Sequence, residues 1–278
     1  MRCAMRYPKG SIQLNQSRDF PLLRQILRSE FVTHSQLFEF TQLNHCERSR
    51  NSFHWRMRRL VDRGLVLRQT LVAGTGDAVY SAASSAATLL QSMGEYCLVG
   101  CGRTDAERAS RNVLHAIGLN EIHLSALRAG LLVRWMGSME IRSQNELTSF
   151  GFAKDYDAIV TVRTDIGERR FALEYERTPK PAKCYRAIAA CMSHEVRVNR
   201  LLYLVANYDI LRFVSGFFTK AEYPVFFGLF TDWHSHLLEM PVLDGLAKRA
   251  FPLQQALNGG RPKVEATPSA TSYHLPFH

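Results

Sequence analysis

The chain predicts an α/β (α+β) protein built from a small helical unit with a hairpin, followed by a larger mixed-sheet unit. Three observations carry that expectation. Residues 18–63 hold three short helical patterns, and a two-stranded hairpin follows them, which is the order of a winged helix-turn-helix. From Asp105 onward a helical region, strand-like runs and two further helices alternate in an α/β order with a mixed sheet. Between the two, Gly100 to Arg103 reads as a break. The expected divisions are residues 18–98, residues 104–257 and a flexible tail at 258–278.

Taken in order, residues 18–30 place Phe20, Leu23, Ile26 and Leu27 on one apolar stripe. Asp19-Phe20-Pro21 reads as a helix start, because proline is tolerated in a first turn. Thr33 opens a second helix through Gln36, Leu37, Phe38 and Phe40. A third runs from about Ser49 to Asp62 and stops at Gly64, whose missing Cβ permits left-handed backbone. Residues 65–72 and 78–81 flank the turn Gly74-Thr75-Gly76-Asp77 as hairpin arms, and Ser81 to Gly94 reads as a helix beside them. A long helical region follows from Asp105, then strand-like runs near 138–143, 156–163 and 170–176. A helix from about Lys180 to Arg197, a strand at 200–206, a helix from about Asp209 to Thr219 and a strand at 224–230 complete the pattern. Beyond Asn258 the Gly, Pro, Ser and Thr content predicts an extension with no core of its own.

The 278 residues carry a formal net charge of +10, which favours a polyanionic partner, nucleic acid before an anionic membrane surface. No apolar run approaches membrane-spanning length, and the opening residues 1–8 lack the apolar core of a secretory signal. The expectation is a cytoplasmic protein without a membrane partner. Six cysteines, Cys3, Cys46, Cys97, Cys101, Cys184 and Cys191, lack the paired short spacings of a zinc site and read as reduced thiols.

Most of the charge that matters sits on the third helix. Arg48, Arg50, Arg56, Arg58, Arg59 and Arg63 face only Glu47 and Asp62 in opposition, while Phe53, Met57, Leu60 and Val61 supply the buried stripe. In a helix-turn-helix this element enters the major groove. The candidates for base contacts are Arg48, Arg50, Asn51 and His54, since Asn matches adenine and Arg matches guanine bidentately. Arg56, Arg59 and the hairpin residue Arg68 are the candidate phosphate partners, and Arg58 and Arg63 complete the set. A merely solvated charged face would carry Glu at four-residue spacing from these arginines, and this helix does not. Double-stranded DNA is the expected partner, with RNA left open.

A second constellation is acidic. Tyr156-Asp157-Ala158-Ile159-Val160 and Phe171 to Thr178 read as neighbouring strands, with Asp157 at the start of one and Glu174 and Glu176 on a common face of the next. Gathered carboxylates repel and shed water at a cost, so they commonly hold a hard cation or accept from fixed donors. Asp157, Glu174 and Glu176 are the candidate catalytic residues. Asp157 and Glu174 with Glu121 are the candidate ligands of magnesium (Mg2+), with Glu140 as a further upstream acid. Such an ion activates water against a phosphodiester. Nucleases commonly place a lysine two residues after the second acid, and here that position is Glu176. Arg177, Lys180 and Lys183 would have to reach back. The competing explanation has Asp157 capping a turn and the glutamates pairing with Arg169, Arg170 or Arg177. His115, His123 and His194 are expected to make ordinary hydrogen bonds, with His123 close in sequence to Glu121.

At these residues the chain resembles the replication-relaxation family of plasmids and integrative elements, whose members join an N-terminal winged helix to a restriction-endonuclease-like PD-(D/E)XK domain. The matching features are Arg58-Arg-Leu-Val-Asp-Arg-Gly-Leu-Val66, a downstream helix with His115 or His123, Trp135 with Glu140, Tyr156-Asp157-Ala158, Leu173-Glu-Tyr-Glu-Arg-Thr178 and Tyr185. The likeness spans roughly residues 20–205. It implies a DNA-binding protein of a plasmid or other mobile genetic element, acting in replication, transfer or their transcriptional control. On that reading the nuclease-like domain serves for homodimerisation or for sensing DNA shape; a separate reading makes the chain a partner-docking component of a larger mobile-element or defence assembly. Two positions depart from the family pattern: Tyr156 stands where proline precedes the strand aspartate, and Glu176 where the wider nuclease superfamily has lysine. Some restriction enzymes cut with a second Glu there, so the alternative is a Mg-dependent DNA endonuclease or nickase using Asp157, Glu174 and Glu176.

Overall fold

A computed structural model describes residues 14–69, 76–95, 106–149, 151–220 and 223–259, with side chains from residue 112 onward in the helix that opens the third stretch. The first part is set by apolar residues recurring at three and four. Helix α1 (Asp19–Ser29) buries Phe20, Leu22, Leu23 and Ile26. A short strand β1 (Val32–Thr33) leads into α2 (His34–Leu43), where the Thr33 hydroxyl accepts from the Gln36 N–H and the Gln36 side chain accepts from the Thr33 N–H, a reciprocal cap. Helix α3 (Arg50–Asp62) is capped by the Ser49 hydroxyl and buries Phe53, Met57 and Leu60. Gly64 follows it in the left-handed region at φ 68, as the sequence predicts. Strands β2 (Val66–Gln69) and β3 (Val79–Ala82) form the hairpin arms, and β1 joins them in an antiparallel sheet ordered β1-β3-β2. Helix α4 (Ser84–Gln91) completes this part. Most of the expected hairpin turn, the break at Gly100 to Arg103 and nearly all of the tail beyond Asn258 lie outside the described residues.

One buried carboxylate organises this unit. Asp19 is 0% exposed; it accepts from Arg56 Nη1 at 2.7 Å, from the Arg59 guanidinium, and from the Asn15 N–H at 2.6 Å. Arg56 also reaches Glu47 at 3.3 Å. Arg56 and Arg59, expected to meet phosphates, therefore turn inward. The reason is geometric: Arg56 lies three residues after Phe53 and four before Leu60, on the stripe that packs, and Asp19 supplies the opposite charge there.

Helix α5 (Ala106–Arg128) spans 23 residues and runs between the two parts. Leu124 packs into the core of the small unit, whereas Ile122 and Ala126 belong to the core on one face of the large sheet. The α5 backbone presses close to that sheet at Gly118, where a Cβ would stand 2.4 Å from the Tyr175 ring.

The second part is a mixed α/β body around a seven-stranded sheet. Its elements are β4 (Leu132–Gly137), α6 (Ser138–Leu147), β5 (Ala158–Thr164), β6 (Gly167–Glu176), α7 (Ala182–Met192), β7 (Leu201–Val205) and α8 (Tyr208–Ser215), then β8 (Val225–Leu229), α9 (Phe230–His236), β9 (Pro241–Asp244), β10 (Ala250–Pro252) and α10 (Leu253–Leu257). The spatial order is β10-β9-β8-β7-β6-β5-β4; β6, β7 and β8 run parallel and the outer pairings are antiparallel. Both faces are covered. Val160, Val162, Phe171, Leu173, Leu202 and Leu204 pack on one side, and Ile159, Ala172, Leu201, Tyr203 and Val205 on the other, the alternation a strand imposes.

The run at 138–143, expected as a strand, is helical, and the strand lies just before it. Only Ile141 of this helix is fully buried, so its periodicity carries little information about which regular structure forms. Beyond the strand predicted to end at residue 230, the chain adds α9, β9, β10 and α10, for which the sequence pattern gives no signal.

Replacing Asp19 by Ala would leave Arg59 without its carboxylate and Arg56 with Glu47 alone, both with little access to water. Loss of one partner of a buried pair costs about 3–5 kcal/mol. Urea unfolding of Asp19→Ala should show a loss of that size; a stability within about 0.5 kcal/mol of the parent, the range of neutral surface changes, would show that the ion-paired cluster does not hold the unit.

Candidate functional site

Strand register brings the acidic residues together. Ala158 pairs with Leu173, so Asp157, one residue before β5, stands opposite Glu174, while Glu174 pairs with Tyr203 and Glu176 with Val205 on β7. The acids therefore gather at the C-terminal end of the parallel pair β6 and β7, the end at which open α/β sheets place their sites. Asp157 accepts from the Tyr175 N–H at 2.7 Å and faces His115 Nε2 of α5 at 3.2 Å. Glu174, 3% exposed, is ion-paired with Lys154 from the loop before β5. Glu176 takes Lys180 Nζ at 3.0 Å and the Tyr185 O–H at 3.1 Å, and the Tyr185 oxygen accepts in turn from the Lys180 N–H at 2.8 Å. The Tyr203 hydroxyl is buried without a hydrogen-bond partner.

Charge sets the protonation states here. Burial opposes ionisation of Asp157, but His115 and the Tyr175 N–H outweigh it and hold the carboxyl at about 2. Burial lowers His115, and Asp157 more than compensates, so the imidazole titrates above its ordinary value. Glu174 is raised by burial, with Lys154 pulling it back and Asp157 pushing it further up. Lys180 is raised: burial opposes its charge, and Glu174 and Glu176 overcome that. Three acids thus meet two ammonium groups and an imidazole. A cleft of about 240 Å³ lined by Arg28, Asn112, His115, Trp135, Asp155 and Asp157 opens beside them, between α1, α5 and β4.

The expected magnesium ligand set does not form as such. Glu121 pairs with Arg128 at 2.7 Å and lies within hydrogen-bond reach of Gln36 on α2. Glu140 pairs with Arg134 at 3.2 Å. Among the described residues no group of three or more His, Cys, Asp or Glu side chains is arranged to hold a metal ion. The remaining acids are already matched: Lys154 is ion-paired with Glu174 and His115 faces Asp157. Spacing failed to find Lys154 because the cation arrives from the chain before Asp157 and not from two residues after Glu174. His115, read as an ordinary hydrogen-bonding residue, is an ion-pair partner of Asp157. His123 is half-buried, stacked on Trp135 with centroids 4.3 Å apart and driven down to about 3 by burial and then by Arg28.

The basic helix divides into two faces. Arg56 and Arg59 are internal, whereas Arg50, Asn51, His54 and Arg58 are exposed on α3, as are Arg48 just before it and Arg68 on β2. Arg63 is half-buried. Arg48, Arg50, Arg58 and Arg68 make no ion pair among the described residues. His34, which the sequence reading did not single out, knits this surface: its Nε2 lies 3.2 Å from His54 Nδ1, and its Nδ1 lies 3.3 Å from the Tyr80 hydroxyl. Burial first, then His54, Arg50 and Arg68, lower its pKa against the pull of Asp77. Arg50, His54 and Arg68 therefore converge on one cationic patch. Trp55, 52% exposed, lies beside it with the Arg59 guanidinium 4.9 Å from its ring centre.

No family model, no curated protein and no solved structure matches the chain. Among the described residues no helix is long and apolar enough to cross a membrane, and Cys46, Cys184 and Cys191 are free thiols.

The His115–Asp157 pair has a defined pH signature. A raised histidine contributes stability below its unfolded pKa of about 6.5 and loses it as pH rises through the higher folded value; the depressed Asp157 contributes above the ordinary carboxylate range and loses it as pH falls toward 2. NMR titration should place the His115 imidazole above about 6.5 in the parent and below it in Asp157→Asn, where burial and Lys180 act against Glu174 only. An unchanged titration midpoint in the variant would separate the two residues.

Proposed function

We propose that this chain is a DNA-binding protein that docks the exposed face of α3 in the major groove, with the β2–β3 hairpin as its wing. The α/β body then acts as a nuclease-derived scaffold without catalysis, used for homodimerisation, for sensing DNA shape or for docking a partner protein. A role in replication, transfer or transcriptional control of a plasmid or mobile element follows from the likeness to the replication-relaxation family, and it is a proposal on the same footing. One observation carries the reading. Among the described residues Arg48, Arg50, Arg58 and Arg68 lie exposed and without carboxylate partners, while Arg56 and Arg59, which do find carboxylates, fix the helix to its own core. A solubility helix would show the reverse, since its charges would be neutralised outside.

Binding of a duplex by this face follows from phosphate neutralisation. Fluorescence anisotropy of Arg50→Ala/Arg58→Ala across a salt series should show weaker binding and a log–log salt slope smaller by about 1.8, roughly 0.9 for each lost phosphate contact. A slope equal to the parent's would move the DNA surface away from α3.

A second reading, metal-dependent endonuclease or nickase activity, is favoured by Lys154, which brings an ammonium group to Asp157 and Glu174 although Glu176 occupies the usual lysine position. Incubation of supercoiled DNA with the protein and magnesium or manganese discriminates the two. The scaffold reading expects no metal-dependent nicking. Cutting that disappears in both Asp157→Ala and Glu174→Ala would replace it by the enzymatic one.

A further inference from the structure

At the opposite end of the large sheet from the acidic cluster, four arginines surround one depression. Arg169 and Arg170 stand on β6 five and four residues before Glu174, which the strand rise converts to about 13–17 Å. Arg197 and Arg200 come from the segment that leads into β7. They line a concavity of about 510 Å³ together with Asn199 and Asn258.

None of the four makes an ion pair among the described residues. Each is held by something neutral. Arg170 and Arg197 both stand over the Phe152 ring, at 5.6 and 5.7 Å from its centre. Arg200 donates to the Ala256 carbonyl at 3.0 Å and to Asn199 at 3.0 Å, and Arg169 donates to the Glu168 carbonyl at 2.8 Å. Their charges are thus positioned but not cancelled. Burial and the neighbouring guanidinium groups lower the pKa of both Arg170 and Arg200. Glu195 offsets part of this at Arg170 from a distance, but its own hydrogen bonds go to the Ala153 N–H, the Tyr156 O–H and the Arg197 N–H, and it forms no ion pair with any of the four. Glu168, exposed on β6, is the acid that lines the depression.

Four fixed, mutually repelling guanidinium groups cost free energy in the isolated chain, and an anion with several separated charges relieves that cost. Guanidinium forks match phosphate oxygens bidentately. A lone anion would engage one or two of them, whereas a nucleic-acid strand presents phosphates in series. We infer that Arg169, Arg170, Arg197 and Arg200 form a second phosphate-backbone contact for duplex DNA, carried by the sheet body and separate from the α3 face. The inference requires duplex binding but not that α3 be the reading element.

The test uses the full chain and a mixed-sequence duplex, with anisotropy measured across a salt series. Arg169→Gln/Arg197→Gln leaves Arg200 in its hydrogen bonds and should reduce the log–log salt slope by about 1.8, so that affinity falls about tenfold less than the parent's between 50 and 200 mM salt. Arg169→Lys/Arg197→Lys keeps the charges and should restore the parent slope. Combining the Gln pair with Arg50→Ala/Arg58→Ala should lower the slope by the sum of the two reductions. A Gln pair with the parent's affinity and slope overturns the inference, and is the result expected if the arginines serve an acidic protein instead. A Lys pair as defective as the Gln pair also overturns it, because charge would not be the cause. Loss in the Gln pair with none in the α3 pair upholds this contact while refuting the α3 reading.

Discussion

The orientation of the basic helix rests on a single carboxylate. Asp19 has no exposure and faces two guanidinium groups of α3, one of which also reaches Glu47. Desolvating these charges is expensive, and it is tolerable only while every partner stays in place. This ties the rotation of α3 about its own axis to α1: turning the helix outward would expose Phe53 and Leu60 and leave Asp19 alone in an apolar surrounding. What remains on the outer face, Arg48, Arg50, Asn51, His54 and Arg58, is determined by what had to go inside.

The sheet body solves a related problem by a different route. Asp157, Glu174 and Glu176 would repel at the strand ends, and the chain answers with cations from three directions: Lys154 before β5, Lys180 after β6 and His115 from α5. Each acid has its own partner, so the cluster is balanced internally. The same body leaves its other end unbalanced, where arginines are ordered by a ring and by carbonyl groups. One end has matched charges and the other an excess of one sign, a polarity along the strands that neither helix packing nor the apolar core requires.

Much of this was legible from local rules. Thr33 and Gln36 announce a cap, Gly64 a left-handed stop, and the spacing of Glu174 and Glu176 a common strand face, because each depends on residues a few positions apart. The failures are of a different kind. Arg56 lies between Phe53 and Leu60 at packing positions, yet its charge argued for the surface, and only the distant Asp19 reverses that. Lys154 and His115 lie 20 and 59 positions from Glu174 and Lys154's own neighbours give no hint of their meeting point, which β5–β6 register and the run of α5 create. The helix at 138–143 was misread because a segment with one fully buried residue supports either period.

Helix α5 contributes Leu124 to the small core and Ile122 and Ala126 to the large one, while Gly118 seats it against Tyr175 and His115 touches Asp157. Two cores that share a rod have no free hinge at that place. Any tilt of the helical unit, whatever pulls on it, must either carry the rod along and strain its seat on the sheet, or peel Leu124 out of its packing. A change in the tilt of α5 would therefore be felt at the acidic strand ends through His115 and Gly118.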